Sequence, residues 1–132
     1  MGYRYCNMNP DRLDTSDCVV RAVALVMDLD WDGAYADLSM QGYAMHRILM
    51  VNDVWGEYLK LNGFKRSIIP DMCPNCYTIK EFCIDHPRGR YVVATGSHVV
   101  ATGSHVVAIV DGNYYDTWDS GDEVPIYYWW KR

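Results

Sequence analysis

Residues 18–27, CVVRAVALVM, carry one charge, Arg21, and are apolar on nearly every other side. A helix of that composition has almost no face for water, so it belongs in the middle of a domain with other elements packed around it. Thr15, Ser16 and Asp17 stand immediately before it as candidate N-caps, which places Cys18 on its first turn. The rest of the chain must therefore form a shell about this helix. At 132 residues, half of them apolar, residues 1–132 suffice for a single domain with one core.

The shell reads as helices followed by strands. Residues 1–14 look like an irregular arm, with Asn7, Asn9 and Pro10 as turn formers. A helix starts near Asp30 or Trp31 and carries Ala34, Tyr35 and Leu38, with Gly42 ending or kinking it. Asn52 is positioned to cap a third helix bearing Val54, Tyr58, Leu59 and Leu61, and Gly63 stops it. After a short extended piece at 67–69, Thr78 and Glu81 form a capping-box pattern for a helix running to about Asp85, closed by His86-Pro87. Four stretches, 91–94, 106–110, 114–118 and 126–130, are rich in β-branched and aromatic residues. Asp111-Gly112 between two of them signals a hairpin. This order predicts an α+β fold: N-terminal helices, with the central Cys-bearing helix packed on a C-terminal antiparallel sheet.

Composition excludes several functions. Twelve basic residues against 17 acidic ones, with no basic block, argue against a nucleic-acid partner. A basic peptide suits a net charge of −5 better. No apolar run is long enough to span a membrane and the first residues do not resemble a signal peptide, so a cytoplasmic protein without a membrane partner is expected. In that compartment five cysteines, an odd number, read as thiols, ligands or a nucleophile before disulfides. Eleven Tyr and five Trp suit a peptide-binding groove and a small core with its rim equally. The oligomeric state is not written in the sequence.

Three residues carry the chemistry. A thiol on the first turn of a helix is stabilised as thiolate by unpaired N–H groups and the helix dipole, which suits Cys18 to nucleophilic attack. A buried structural cysteine is the plain alternative. If Asp111-Gly112 form a two-residue turn, Val107 faces Asp116 and His105 faces Trp118, so His105 and Asp116 share one face as diagonal neighbours, about 7 Å apart at the backbone. Asp119 falls on the other face as a turn residue. Each acid or histidine alone has an ordinary structural explanation; Cys18, His105 and Asp116 together are a nucleophile, its base and an acid orienting that base. The segment VVATGSH stands twice in tandem, at 92–98 and 99–105, so His98 is an alternative base. On a continuous strand its odd offset turns it away from His105.

This layout resembles the papain-like cysteine peptidase superfamily, in which a Cys opens the central helix and a His and an Asn or Asp come from a following antiparallel sheet. Asn9-Pro10, Asp17-Cys18-Val19-Val20-Arg21-Ala22, His86-Pro87-x-Gly89, Ser104-His105-Val106-Val107-Ala108 and Asp111-Gly112-x-Tyr114-Tyr115-Asp116-Thr117-Trp118-Asp119 resemble, more closely, small papain-like proteins of bacteria and phages. The resemblance implies a cysteine hydrolase cutting peptide or isopeptide bonds through an acyl-thioester, with a peptide or protein substrate and no cofactor. The duplicated VVATGSH departs from the pattern, as does the lack of a Gln upstream of Cys18, the usual oxyanion donor. Asn7 or Asn9 can substitute beside the Cys18 backbone N–H, or simply shape turns. An inactive papain-like binding module and an acyltransferase with the same triad are the rival functions.

Cys73-Pro-Asn-Cys76 with Cys83 and His86 approaches metal-ligand spacing, but the short gap between the pairs argues against zinc, and a turn before a helix explains Cys73 and Cys76. His46 reads as a partly exposed polar residue, His86 as a helix terminator, and Met40, Met45 and Met50 as packing residues.

Overall fold

A computed structural model describes residues 2–69, 77–97 and 102–131. The fold is α+β, with four helices and a six-stranded mixed sheet among the described residues. In chain order these are β1 (Gly2–Tyr5), α1 (Cys18–Val26), α2 (Trp31–Met45), α3 (Asn52–Leu61), β2 (Lys65–Ile68), α4 (Ile79–Asp85), β3 (Arg90–Ser97), β4 (Thr102–Val110), β5 (Asn113–Asp116) and β6 (Pro125–Lys131). The strands lie in the order β1-β5-β4-β3-β6-β2.

Side chains alternate faces along a strand, and here both faces are covered. Val92, Ala94, Val106, Ala108, Tyr127 and Trp129 share one core with α1, α2 and α3. Val93, Val107, Ile109 and Tyr114 share a second, smaller core with Ile79, Phe82 and Cys83 of α4. Helix α1 lies in the larger core as its composition requires, with Val19, Val20, Ala22, Val23, Ala24 and Val26 all buried. Phe82 anchors the other layer, stacked on His86 and edge-on to Tyr91 and Tyr128.

The Asp111-Gly112 turn forms as a two-residue loop. Both residues have positive φ, 50° and 80°, the geometry that matches strand twist in tight hairpins and that glycine tolerates without cost. It fixes Val110 opposite Asn113 and Ala108 opposite Tyr115. Thr78 and Glu81 make the reciprocal capping box of α4.

Elsewhere long-range contacts override local signals. The sheet is not purely antiparallel and not wholly C-terminal: β1, in the segment expected to be an irregular arm, runs parallel to β5, pairing Gly2 with Asn113 and Tyr5 with Asp116. Strand β6 pairs with β3, not with β5 as a simple meander requires. Gly42 neither ends nor kinks α2. It is buried, and a Cβ there would stand 2.5 Å from the Arg47 carbonyl oxygen, so its missing side chain lets the chain fold back. The helix ends at His46, its left-handed C-cap, not a residue within the helix. Asn52 is the first residue of α3 and not its cap; its carboxamide oxygen accepts from the Trp55 indole. The described parts of the two VVATGSH copies, 92–97 and 102–105, lie on β3 and β4, where Thr95 pairs with His105 and Ser97 with Thr102.

Candidate active site

Cys18 opens α1 beside His105 and Val106 of β4. Asp17 takes the N-cap position with no side-chain cap, so no described side chain competes for the first N–H groups of the helix. Its carboxylate is engaged sideways. Oδ1 accepts from Arg21 Nε at 2.9 Å, and Oδ2 accepts from Trp31 Nε1 at 2.9 Å and Asn9 Nδ2 at 3.4 Å. The expected cap thus ties the helix that carries Cys18 to α2 and to the arm.

Opposite Thr95, at His105, the regular ladder breaks. The β3–β4 register shifts between Thr95 and Gly96, and the β3–β6 register between Ala94 and Thr95. Such bulges bend a strand and re-aim its side chains. The His105 imidazole lies between two partners. Nε2 stands 2.6 Å from Asp116 Oδ2. The ring lies beside the Cys18 thiol, close enough for each group to shift the other's pKa, and Nε2 is the nitrogen engaged by Asp116. The Trp118 ring, half-exposed, packs with its centroid 5.1 Å from that of His105 and covers it from solvent.

Asp116 is buried, at 2% exposure, and accepts four hydrogen bonds. His105 and Ser120 Oγ, the latter at 2.7 Å, meet Oδ2; the Thr117 N–H at 2.8 Å and Arg21 Nη1 at 3.3 Å meet Oδ1. Every donor aims at the ionised carboxylate, which is what a buried carboxylate requires. Burial raises its pKa, but the hydrogen bond and charge of His105, with Ser120 and Thr117, outweigh burial and hold it below the usual carboxylate value.

The same competition sets the other two groups. Burial opposes the His105 imidazolium, yet the hydrogen bonds to Asp116 and Cys18 raise its pKa to about 9. Burial raises the Cys18 thiol, and the hydrogen bond and charge of His105, the Val106 N–H and the Arg21 charge together bring it below its ordinary value. Each group therefore favours the charged form of the other. The other described thiols differ: burial pushes Cys83 up to about 11 and raises Cys6.

The remaining candidates fall away from this cluster. Asn7 donates to the Leu13 carbonyl at 3.3 Å and accepts from the Asn9 N–H; Asn9 accepts from the Asp11 and Leu13 N–H groups and donates to Asp17. Both are engaged within the arm and with Asp17, and none of these hydrogen bonds goes to Cys18. Asp119 accepts from Tyr114 and from the Gly121 N–H, as a turn residue. His98, Cys73 and Cys76 lie outside the described residues, among which no group of three or more His, Cys, Asp or Glu is arranged to hold a metal. Nor is any described helix long and apolar enough to cross a membrane.

Ser120 is the member of the cluster that the sequence did not single out; Arg21 stood out there only as the lone charge of its helix and Trp118 only as the residue opposite His105. Arg21 had a signal, since a lone charge on a helix that is otherwise all core must meet an anion inside the fold. Comparison with protein-family models, with curated proteins and with solved structures finds no match to this chain.

Proposed function

We propose that the protein is a papain-like thiol hydrolase acting on peptide or isopeptide bonds, with Cys18 as nucleophile, His105 as acid and base, and Asp116 as the group that orients His105. The observation that carries this is the placement of His105, whose Nε2 meets a buried, fully satisfied Asp116 at 2.6 Å and whose ring lies beside the Cys18 thiol at the start of α1. A structural cysteine needs no such partner.

In the resting pair the proton sits on His105. The thiolate attacks the substrate carbonyl carbon, and its electron pair forms the C–S bond while charge moves to the carbonyl oxygen. The uncapped N–H groups at the start of α1 are aimed to receive that charge. His105 then gives its proton to the leaving amine as the C–N bond breaks, leaving an acyl-thioester on Cys18. Water attacks the thioester, His105 takes its proton, and release of the acid product restores the thiolate–imidazolium pair. Asp116 stays ionised and holds the ring beside the sulfur.

The test is acyl-enzyme formation with p-nitrophenyl acetate, a generic acyl donor. An acetyl thioester on Cys18, absent from Cys18→Ser and slowed in His105→Ala, supports the proposal. Acetylation spread over the other thiols with Cys18 untouched rejects it.

A further inference from the structure

Arg21 lies one turn along α1 from Cys18 and is 11% exposed at its side chain. Its guanidinium is shared between two buried carboxylates. Nε meets Asp17 Oδ1 at 2.9 Å, and Nη1 meets Asp116 Oδ1 at 3.3 Å and Thr117 Oγ1 at 3.2 Å. Asp17 is 5% exposed and Asp116 2%. A cation in that position, on a helix with no other charge, is costly to bury unless it neutralises something buried with it. Nothing in core packing calls for it, because apolar residues fill the rest of α1.

The placement has a geometric consequence. Cys18 is on α1, while His105 and Asp116 are on β4 and β5. The separation between the thiol and the imidazole is therefore set by how the helix docks on the strands. Arg21 spans that joint, from the first turn of the helix to the carboxylate that holds the base. Its planar fork engages Asp17 and Asp116 in different directions at once, which a lysine ammonium on a flexible stem cannot reproduce.

We propose that Arg21 is a positioning residue that fixes Asp116, and through it His105, against the helix carrying Cys18, and that its charge favours the Cys18 thiolate. This rests on the thiol-hydrolase proposal. It accounts for an acid at position 116: the carboxylate serves a guanidinium on one oxygen and the imidazole on the other, and a carboxamide has only one oxygen to offer. For the charge effect the geometry is that Arg21 stands three residues after Cys18 on α1, where side chains one turn apart are neighbours on the helix surface. The ionisable groups around the site are Asp17 before α1, Tyr3 and Cys6 at β1, which bond the Asp116 carbonyl, and Asp119 and Glu123 after β5, Glu123 reaching Thr95 beside His105. Of these groups and Arg21, only Arg21 is a permanent cation.

Two variants test this by the pH profile of Cys18 alkylation with iodoacetamide, with folding checked by circular dichroism. Arg21→Lys keeps a charge without the fork; Arg21→Gln with Asp17→Asn removes the clamp without stranding Asp17. In Arg21→Lys the plateau rate falls about tenfold while the acid limb moves little. In the double variant the plateau falls as far and the acid limb also moves to higher pH. If both variants fold and keep the wild-type limb, with plateau rates within about twofold, Arg21 is only a packing residue and the proposal fails. Should the double variant not fold, Arg21→Lys decides by the same criterion. A wild-type Cys18 whose reactivity shows no acid limb below the ordinary thiol value overturns the hydrolase proposal itself, a result distinct from failure of the Arg21 proposal.

Discussion

Asp116→Asn separates orientation from bulk, because the two side chains have the same shape. Four donors converge on the carboxylate, two on each oxygen. An asparagine has one oxygen, so one pair of donors must face an NH2 group. With the oxygen kept toward Arg21 and Thr117, the amide nitrogen faces His105 and Ser120. The Ser120 hydroxyl can rotate to accept; His105 can accept at Nε2 only in the tautomer that carries its proton on Nδ1. With Nε2 held by the amide, that ring cannot take a proton from Cys18. The opposite rotamer points NH2 at the Arg21 guanidinium and leaves a buried cation with one carboxylate fewer. Either way the imidazolium loses its carboxylate counter-charge, a difference of about 1.5–3 kcal/mol. At about 1.4 kcal/mol per factor of ten, the rate of Cys18 alkylation at neutral pH falls about tenfold to hundredfold. His105, held at about 9 in the wild type, titrates at lower pH in the variant. The assay is alkylation rate against pH together with NMR titration of the His105 ring. An unchanged rate and an unchanged His105 titration in the folded variant refute the orienting role. Stability supplies a check of sign. Because the folded pKa of Asp116 is depressed, its stabilisation is present above the ordinary carboxylate value and is lost as pH falls through the folded one, so the variant lacks that part of acid unfolding.

Further outcomes follow from the same geometry. Amide turnover rises with pH as the thiolate forms and falls as His105 loses its proton near 9, whereas alkylation, which needs no proton donor, stays high on the alkaline side. In Cys18→Ala the raised His105 stands alone: its stabilisation is full below 6.5 and is lost as pH rises through the folded value, which thermal melts across that range detect. Leu59→Ala, at a side chain with 0% exposure in the larger core, lowers unfolding free energy by about 2–5 kcal/mol in urea titration without moving the alkylation pH profile of the remaining folded protein.

How much of this was legible depended on sequence distance. The Asp111-Gly112 turn is a local signal, and once it set Val110 against Asn113 the shared face of His105 and Asp116 followed by counting. The capping box of α4 and the burial of α1 were legible for the same reason, since each is decided within a few residues. Strand β1 was not. GYRY has no partner nearby and no turn to announce one; it becomes a strand because the edge of β5, far along the chain, offers parallel pairing. Asp17 shows local rules yielding to tertiary ones: its type and place mark it as a cap, but Arg21, Trp31 and Asn9 take its oxygens. The lone charge of Arg21 was visible, while the second anion it serves lies 95 residues away and could be named only after folding.

The most direct test is site-resolved iodoacetamide labelling of the wild type and His105→Ala from about pH 5 to about pH 9, with adducts at Cys6, Cys18 and Cys83 quantified by peptide mass spectrometry. The predicted result is that Cys18 labels first of the three, with an acid limb below the ordinary thiol value of 9.0, and that His105→Ala moves this limb upward and removes the advantage at neutral pH. Labelling of Cys6 ahead of Cys18 in the folded protein, or a Cys18 rate indifferent to loss of His105, would contradict the assignment of Cys18 and His105 as a working pair.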